Sequence, residues 1–152
     1  MKDHIAFLLC TWFGLGKLPK APGTWGSLGA LPFAWLLQSW GGWPALAVAL
    51  LLLCAVSFWA IAAYLRRWPG DDPGEIVIDE VAGQWLVLLF APTDWLFYLV
   101  AFVMFRVLDI SKPWPASWAD KRLHGPTGIM LDDLLAALYG CLVMIGVQRV
   151  LA

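Results

Sequence analysis

The chain has 152 residues, enough for one domain; 61% are hydrophobic and only 14% charged, whereas soluble domains carry about 25% charged residues. Ten Lys and Arg against eleven Asp and Glu leave a net charge of −1, which gives no basic field for nucleic acid and no acidic tail. The composition argues against a nucleic-acid partner and for a single domain, residues 1–152, whose main solvent is lipid.

In chain order, the first apolar stretch is IAFLLCTWFGLG, after Lys2. No small-x-small cleavage site follows it, and Leu9 stands where a lipoprotein signal needs a small residue before its cysteine. The stretch is expected to be retained, either on the bilayer surface as an amphipathic helix or as a packed cap. Gly14-Leu15-Gly16 then leads into the Gly- and Pro-rich PKAPGTWGSLG. Its backbone N–H groups, the hydroxyls of Thr24 and Ser27, and Lys20 are suited to cradle a phosphate. The plainer alternative makes Ser27 a helix N-cap.

Residues 27–40 are apolar but short and carry Pro32, which suits a thin crossing or a re-entrant helix. Residues 44–65 are uncharged, long enough to cross a bilayer, and end at Arg66 and Arg67. Gly41, Gly42 and Trp43 separate the two. After the polar RRWPGDDPGE, segments at 76–91 and 94–111 join through Ala91-Pro92-Thr93-Asp94, a turn sequence, as a second hairpin. A last segment, about 132–150, opens at Asp132 and Asp133, acids that suit a helix N-terminus. The expected fold is an all-α, multi-helix integral membrane bundle of helical hairpins, with some helices short or half-spanning.

Lys2, Lys17 and Lys20 precede the first hairpin, Arg66 and Arg67 follow it, and Lys112, Lys121 and Arg122 follow the second, while the hairpin tips carry no basic residue. The positive-inside rule places those loops in the cytoplasm, leaving only Arg149 outside. Trp40, Trp43 and Trp95 fall at the outer tips, and Trp25, Trp68, Trp114 and Trp118 beside the inner loops, which gives aromatic belts at two levels. Cys10, Cys54 and Cys141 lie in apolar runs without ligand spacing and are read as packing residues.

This topology gathers acids. Asp79 and Glu80 begin one helix, Arg106 and Asp109 end the next with Lys112 behind them, and Asp132 and Asp133 begin the last, all at one interface. Singly, each can be a cap or an interfacial anchor, with Asp109 pairing to Arg106 one turn earlier. As a group, with Asp79 and Glu80 flanked by IVI and VAG, they are costly to bury unpaired. A hard cation with oxygen ligands would satisfy them, and Mg2+ needs only a few carboxylates besides water and phosphate oxygens. His124, in KRLHGPTGIMLDD, is either an acid–base group or a plain interfacial residue. No cysteine has an arginine six residues on, no D-x-D occurs, and two histidines are too few for histidine-based lipid phosphatases. What remains is metal-assisted attack by water, with Lys or Arg neutralising phosphoryl oxygens.

Four motifs in order, KAPGTWGSLGALP, DPGEIVIDEVAG, FRVLDISKPWP and HGPTGIMLDD, spanning about residues 14–140, resemble the phosphatidylglycerophosphatase A family. The resemblance implies a Mg2+-dependent, multi-pass enzyme of the bacterial inner membrane. It would convert phosphatidylglycerophosphate to phosphatidylglycerol and inorganic phosphate, with its active site facing the cytoplasm. Carried onto this chain, the family's motif positions are Thr24 and Ser27, Asp79 and Glu80, Arg106, Asp109 and Lys112, and Asp132 and Asp133. Two departures are Pro126, where the family tends to have glycine, and Ala137, which replaces a frequent glycine.

The expected assignment gives the metal to Glu80, Asp109, Asp132 and Asp133, and water activation to Asp79. It gives the phosphoryl oxygens to Arg106 and Lys112, and substrate contacts to Thr24, Ser27, Lys20, Lys121 and Arg122. The alternative from another class is a small ion-coupled transporter or channel, whose acids should lie near the midplane with access from both sides. A phosphatidyltransferase is disfavoured, since D-G-x-x-A-R…G-x-x-x-D-x-x-x-D is missing. Oligomeric state is not legible in the sequence.

Overall fold

The computed structural model describes residues 2–70 and 72–151 as helices and short connections. The helices are α1 (Lys2–Cys10), α2 (Pro22–Arg67), α3 (Ile78–Leu88), α4 (Trp95–Ser111), α5 (Ala116–Arg122) and α6 (Gly125–Leu151), with a 3-10 turn at Leu15–Lys17. The fold is the expected all-helical membrane bundle. Two helices, α2 and Gly125–Val150 of α6, are long and apolar enough to cross a membrane.

α2 is the first hairpin. Its two helical arms meet at Gly42, which has φ 65° and ψ −164°, a backbone state that only glycine enters cheaply. The chain reverses there. Gly26 of the first arm packs on Val77, and Tyr64 of the second arm donates a hydrogen bond to Glu75, so both ends of α2 meet the same short loop. The first arm starts at Pro22, earlier than the apolar run suggested, because Pro at the first turn needs no N–H partner. From Pro22 to the break it is roughly 30 Å long at 1.5 Å per residue, enough to cross.

α3 is the buried centre of the bundle. Trp85 Nε1 donates to Ala30 O of α2 at 2.9 Å, Gly83 lies against the Phe105 ring of α4, and Cys141 of α6 approaches Leu86 O at 3.5 Å. At about 16 Å it reaches only halfway through a bilayer. Its ends are shielded by protein, the condition under which such a helix is tolerated. α1 is a packed cap: Phe7 stacks on Tyr64 with ring centroids 6.3 Å apart, and Cys10 O accepts from Val77 N at 2.7 Å.

The bundle has two unlike ends. At one, Gln38, Trp43, Pro92, Thr93 and Gln148 line a common cavity, so the tips of both hairpins and the end of α6 meet. Trp40, Trp43 and Trp95 are largely exposed there. Gln38 knits this end together, its Nε2 donating to Leu88 O at 2.9 Å and its Oε1 accepting from Tyr98 at 2.6 Å. The opposite end carries the starts of α2, α3 and α6 and the end of α4, and with them the acids.

The start of α6 also differs from expectation. α6 begins at Gly125, where φ is 65°, with Pro126 in its first turn, so Asp132 and Asp133 lie about two turns inside the helix and do not cap it.

Candidate functional site

Asp79 and Glu80 occupy the first turn of α3, where the unpaired N–H groups of a helix start favour carboxylates. Across from them α6 presents Asp133. One oxygen from each of Asp79, Glu80 and Asp133 lies within 4.8 Å of the others. At that spacing each ionised pair repels by about 3 kcal/mol or more, even at an effective dielectric of ~20. Asp79 is 7% exposed and Asp133 3%, so water does little to screen them.

α4 supplies the cations. Arg106 and Asp109, one turn apart, pair at 2.7 Å, and Arg106 Nη1 reaches Ser27 Oγ at 3.4 Å. Lys112 closes α4 in a left-handed conformation, φ 43°, which turns the chain sharply after Ser111. Its ammonium contacts Asp120 of α5 at 2.5 Å and Asp132 of α6 at 2.6 Å, and so ties three helices at one point. Partial burial works against the charge, but the hydrogen bonds to Asp120 and Asp132 win and hold the ammonium above its ordinary pKa.

These groups surround a cavity of about 290 Å³ lined by Gly23, Asp79, Glu80, Asp109, Lys112 and Asp133, among others. Gly23 makes the closest approach: a Cβ there would stand 2.1 Å from Glu80 Oε1 and 3.0 Å from Arg106 Nη2. The start of α2 is thereby laid directly on the acids. Asp79, Glu80, Asp109, Asp132 and Asp133 outnumber Arg106 and Lys112, so the site has an excess of negative charge. Asp79 Oδ1, Glu80 Oε2, Asp132 Oδ1, Asp133 Oδ2 and Arg106 Nε are buried without a hydrogen-bond partner among the described residues. Buried polar atoms are rarely left so, and an all-oxygen set with unused lone pairs is what a hard divalent cation takes up.

Of the residues singled out in the sequence, Asp79, Glu80, Arg106, Asp109, Lys112, Asp132 and Asp133 come together here. The geometry divides them, since Asp79 joins Glu80 and Asp133, while Asp109 is engaged by Arg106 and Asp132 by Lys112. Ser27 is buried in the second turn of α2, donating to Gly23 O at 3.0 Å, so it is no N-cap. Thr24 lies half-buried in the first turn. Lys20, Lys121 and Arg122 are exposed, and their side chains enter no hydrogen bond or ion pair among the described residues.

Sequence reasoning missed Asp120, Asp72, Gly23 and Gln84. Asp120 sits among charged residues in WADKR and reads as a solvated face; its spacing from Lys112 has meaning only once α5 folds back. Asp72 lines the acidic cavity from the α2–α3 loop. Gln84, one turn beyond Glu80, is fully buried with neither amide atom partnered among the described residues. A lone polar residue in VAGQWLVL was the available signal.

Residues 8–148 match the model of the family described as phosphatidylglycerophosphatase A. The chain is 39% identical over 142 residues to the phosphatidylglycerophosphatase A of Escherichia coli K12, covering 91% of this chain and 82% of that protein. It is 37% identical to the protein of the same name in Haemophilus influenzae, covering 93% and 87%. A Bacteroides thetaiotaomicron protein, named provisionally as a phosphatidylinositol-3-phosphatase, is also 37% identical, covering 97% and 95%. No solved structure matches the chain.

Proposed function

Because the chain belongs to the phosphatidylglycerophosphatase A family, we propose that it hydrolyses the terminal phosphomonoester of phosphatidylglycerophosphate, using Mg2+, at the cytoplasmic face of a bacterial inner membrane. The observation that carries the metal reading is the convergence of Asp79, Glu80 and Asp133 within 4.8 Å, with a partnerless oxygen on each. These three would hold the ion, and Mg2+ suits a set made only of oxygens. When bound, Mg2+ would neutralise phosphoryl charge and make water more acidic.

The rest falls to the chain's own groups. Arg106, aligned by Asp109 and Ser27, and Lys112, aligned by Asp120 and Asp132, present cationic donors to the phosphoryl oxygens. Asp132 keeps one oxygen on Lys112 and leaves Oδ1 free, which suits it to orient the attacking water. Lys20, Lys121 and Arg122, exposed near this end, would draw anionic headgroups to the surface, and Thr24 would contact the substrate from the first turn of α2. The acyl chains stay in the bilayer. Cytoplasmic placement is supported by the basic loops clustering at the acidic end, away from the tryptophan-rich tips. A gathering at one end also argues for an enzyme over an ion path, which would need acids accessible from both sides. The names of the relatives differ in headgroup, glycerol in two and inositol in one, but both are polyols bearing a phosphomonoester.

The test is phosphate release from phosphatidylglycerophosphate by detergent-purified protein, with Mg2+ or with chelator, beside Asp133→Asn. Release that stops with chelator and falls on the order of 100-fold or more in the variant is expected. Metal-independent release would overturn the metal reading. No release from folded protein in detergent and in liposomes would favour the ion-path alternative.

A further inference from the structure

An apolar cavity, also of about 290 Å³, lies away from the acids, between the first arm of α2 and the start of α4. Leu31, Pro32, Trp35, Trp95, Tyr98 and Leu99 line it, and none of them is charged. The acidic cavity is bounded by the same two helices, through Pro22 and Gly23 of α2 and Asp109 and Ile110 of α4. On α4 the match is one of register: Asp109 follows Tyr98, and Ile110 follows Leu99, by about three turns, so both pairs share one face of the helix. Val103 stands between them on that face and is exposed, as are Leu99 and Ile110. The two cavities thus lie along one seam that opens sideways to lipid.

Apolar exposure by itself is ordinary in a helix that faces lipid. This seam differs in being concave and in having fixed ends. Arg106 reaches Ser27 at 3.4 Å at the acidic end, and Tyr98 donates to Gln38 at 2.6 Å at the other, so polar contacts set the spacing of α2 and α4. Trp35 meets Tyr98 edge-on with ring centroids 5.0 Å apart, which closes the far end with stiff aromatic walls. Depth decides what fits. From Ile110 to Leu99 the rise is roughly 16 Å, and half of the ~30 Å hydrocarbon layer is about 15 Å. A lipid with its phosphate in the acidic cavity therefore has its chain ends at the level of the apolar one.

We propose that the seam between α2 and α4 receives one acyl chain of the lipid whose phosphate enters the acidic cavity, with Leu31 and Leu99 as its walls and the Trp35–Tyr98 pair as the stop for its methyl end. This rests on the phosphatase reading above and adds to it a preference for chain length. Lipid tails are as apolar as leucine, so the chain gains no hydrophobic energy on leaving bulk lipid. What the seam supplies is dispersion contact and a fixed orientation that delivers the phosphate to the acids. A chain too short to reach Leu99 forgoes the contact.

The experiment compares kcat/KM for dipalmitoyl and dioctanoyl phosphatidylglycerophosphate in mixed micelles at equal surface fraction. The wild-type chain is expected to prefer the longer lipid by about fivefold or more, mainly through KM, since packing along the chain is binding that does not change during reaction. Leu99→Trp, which fills the seam at a half-exposed position, should bring that ratio close to one and leave turnover of the dioctanoyl lipid within about twofold. Leu51→Trp, at an exposed site on the second arm of α2, should leave the ratio as it is. A second measurement does not depend on turnover: a dipalmitoyl analogue with a diazirine at its chain end should label the segments holding Trp35 and Leu99, and unlabelled dipalmitoyl substrate should compete. A wild-type ratio near one, a Leu99→Trp effect equal on both lipids, the same effect from Leu51→Trp, or labelling that no substrate displaces would each overturn the acyl-chain seam. All of these leave the phosphatase reading standing. Hydrolysis of neither lipid by folded wild-type protein would overturn both.

Discussion

A methyl group at Gly23 would meet Glu80 Oε1 and Arg106 Nη2, both ends of flexible side chains and neither of them backbone. Gly23→Ala should therefore leave the fold intact and displace the carboxylate. Phosphate release is expected to fall at least tenfold while helical content by circular dichroism stays at the wild-type value; wild-type turnover would show that the Glu80 position is not needed. The acidic trio makes a second prediction with a definite sign. With no cation, Asp79, Glu80 and Asp133 oppose one another, so Asp133→Asn removes a repulsion and should raise the thermal midpoint in chelator. Added Mg2+ should raise the wild-type midpoint, because an ion that binds the folded state alone stabilises it, and should raise the variant's much less. Equal shifts would place the ion elsewhere. The sequence alone pointed to all three acids of the trio, because carboxylates inside apolar helices stand out. It did not show that Asp132 and Asp133 part company, one turned to Lys112 and the other to α3, since that depends on helix rotation within the bundle.

At the scale of elements, apolar runs and turn residues located the hairpins well. Gly42 breaks the first, and Ala91 to Asp94 lie within the turn of the second, with the Asp94 carboxylate accepting from Leu96 N at 2.9 Å as the cap of α4. The helix starts were read less well. Pro22 and Pro126 looked like loop residues, yet each sits in a first turn, where proline's missing N–H does no harm; α2 and α6 consequently begin before their apolar runs. Gln38 was likewise silent in the sequence, one amide in an apolar stretch. In the structure it fastens the first arm of α2 to Leu88 O and Tyr98. Gln38→Leu strands these two partners and Thr93, whose hydroxyl also donates to Gln38 Oε1 at 3.3 Å, and should lower stability by about 1–2 kcal/mol, within the range for hydrogen bonds between membrane helices. Gln38 lies at the end remote from the acids, so kcat below the melting range should stay within about twofold. A loss of turnover larger than the loss of folded protein would couple this pin to the site.

For the whole molecule, the arrangement follows from lipid being the solvent on the sides and water only at the ends. Charges must collect at the ends, and here they do so unequally: Arg106, Lys112 and the acids at one, and the exposed Trp40, Trp43 and Trp95 at the other. A half-length helix such as α3 is tolerable because α2, α4 and α6 enclose it, and its first turn sets Asp79 and Glu80 in the wall of the acidic cavity. If the basic end faces the cytoplasm, a cysteine at exposed Pro92, in a background with Cys10, Cys54 and Cys141 replaced, should react with an impermeant maleimide on intact spheroplasts. One at exposed Lys121 should react only after the membrane is opened. The reverse pattern would put the acids on the outer face and require the phospholipid substrate to cross the bilayer first. Labelling of both without opening would contradict a bundle with its turns at one end and its acids at the other, and with it the reason the carboxylates are gathered at all.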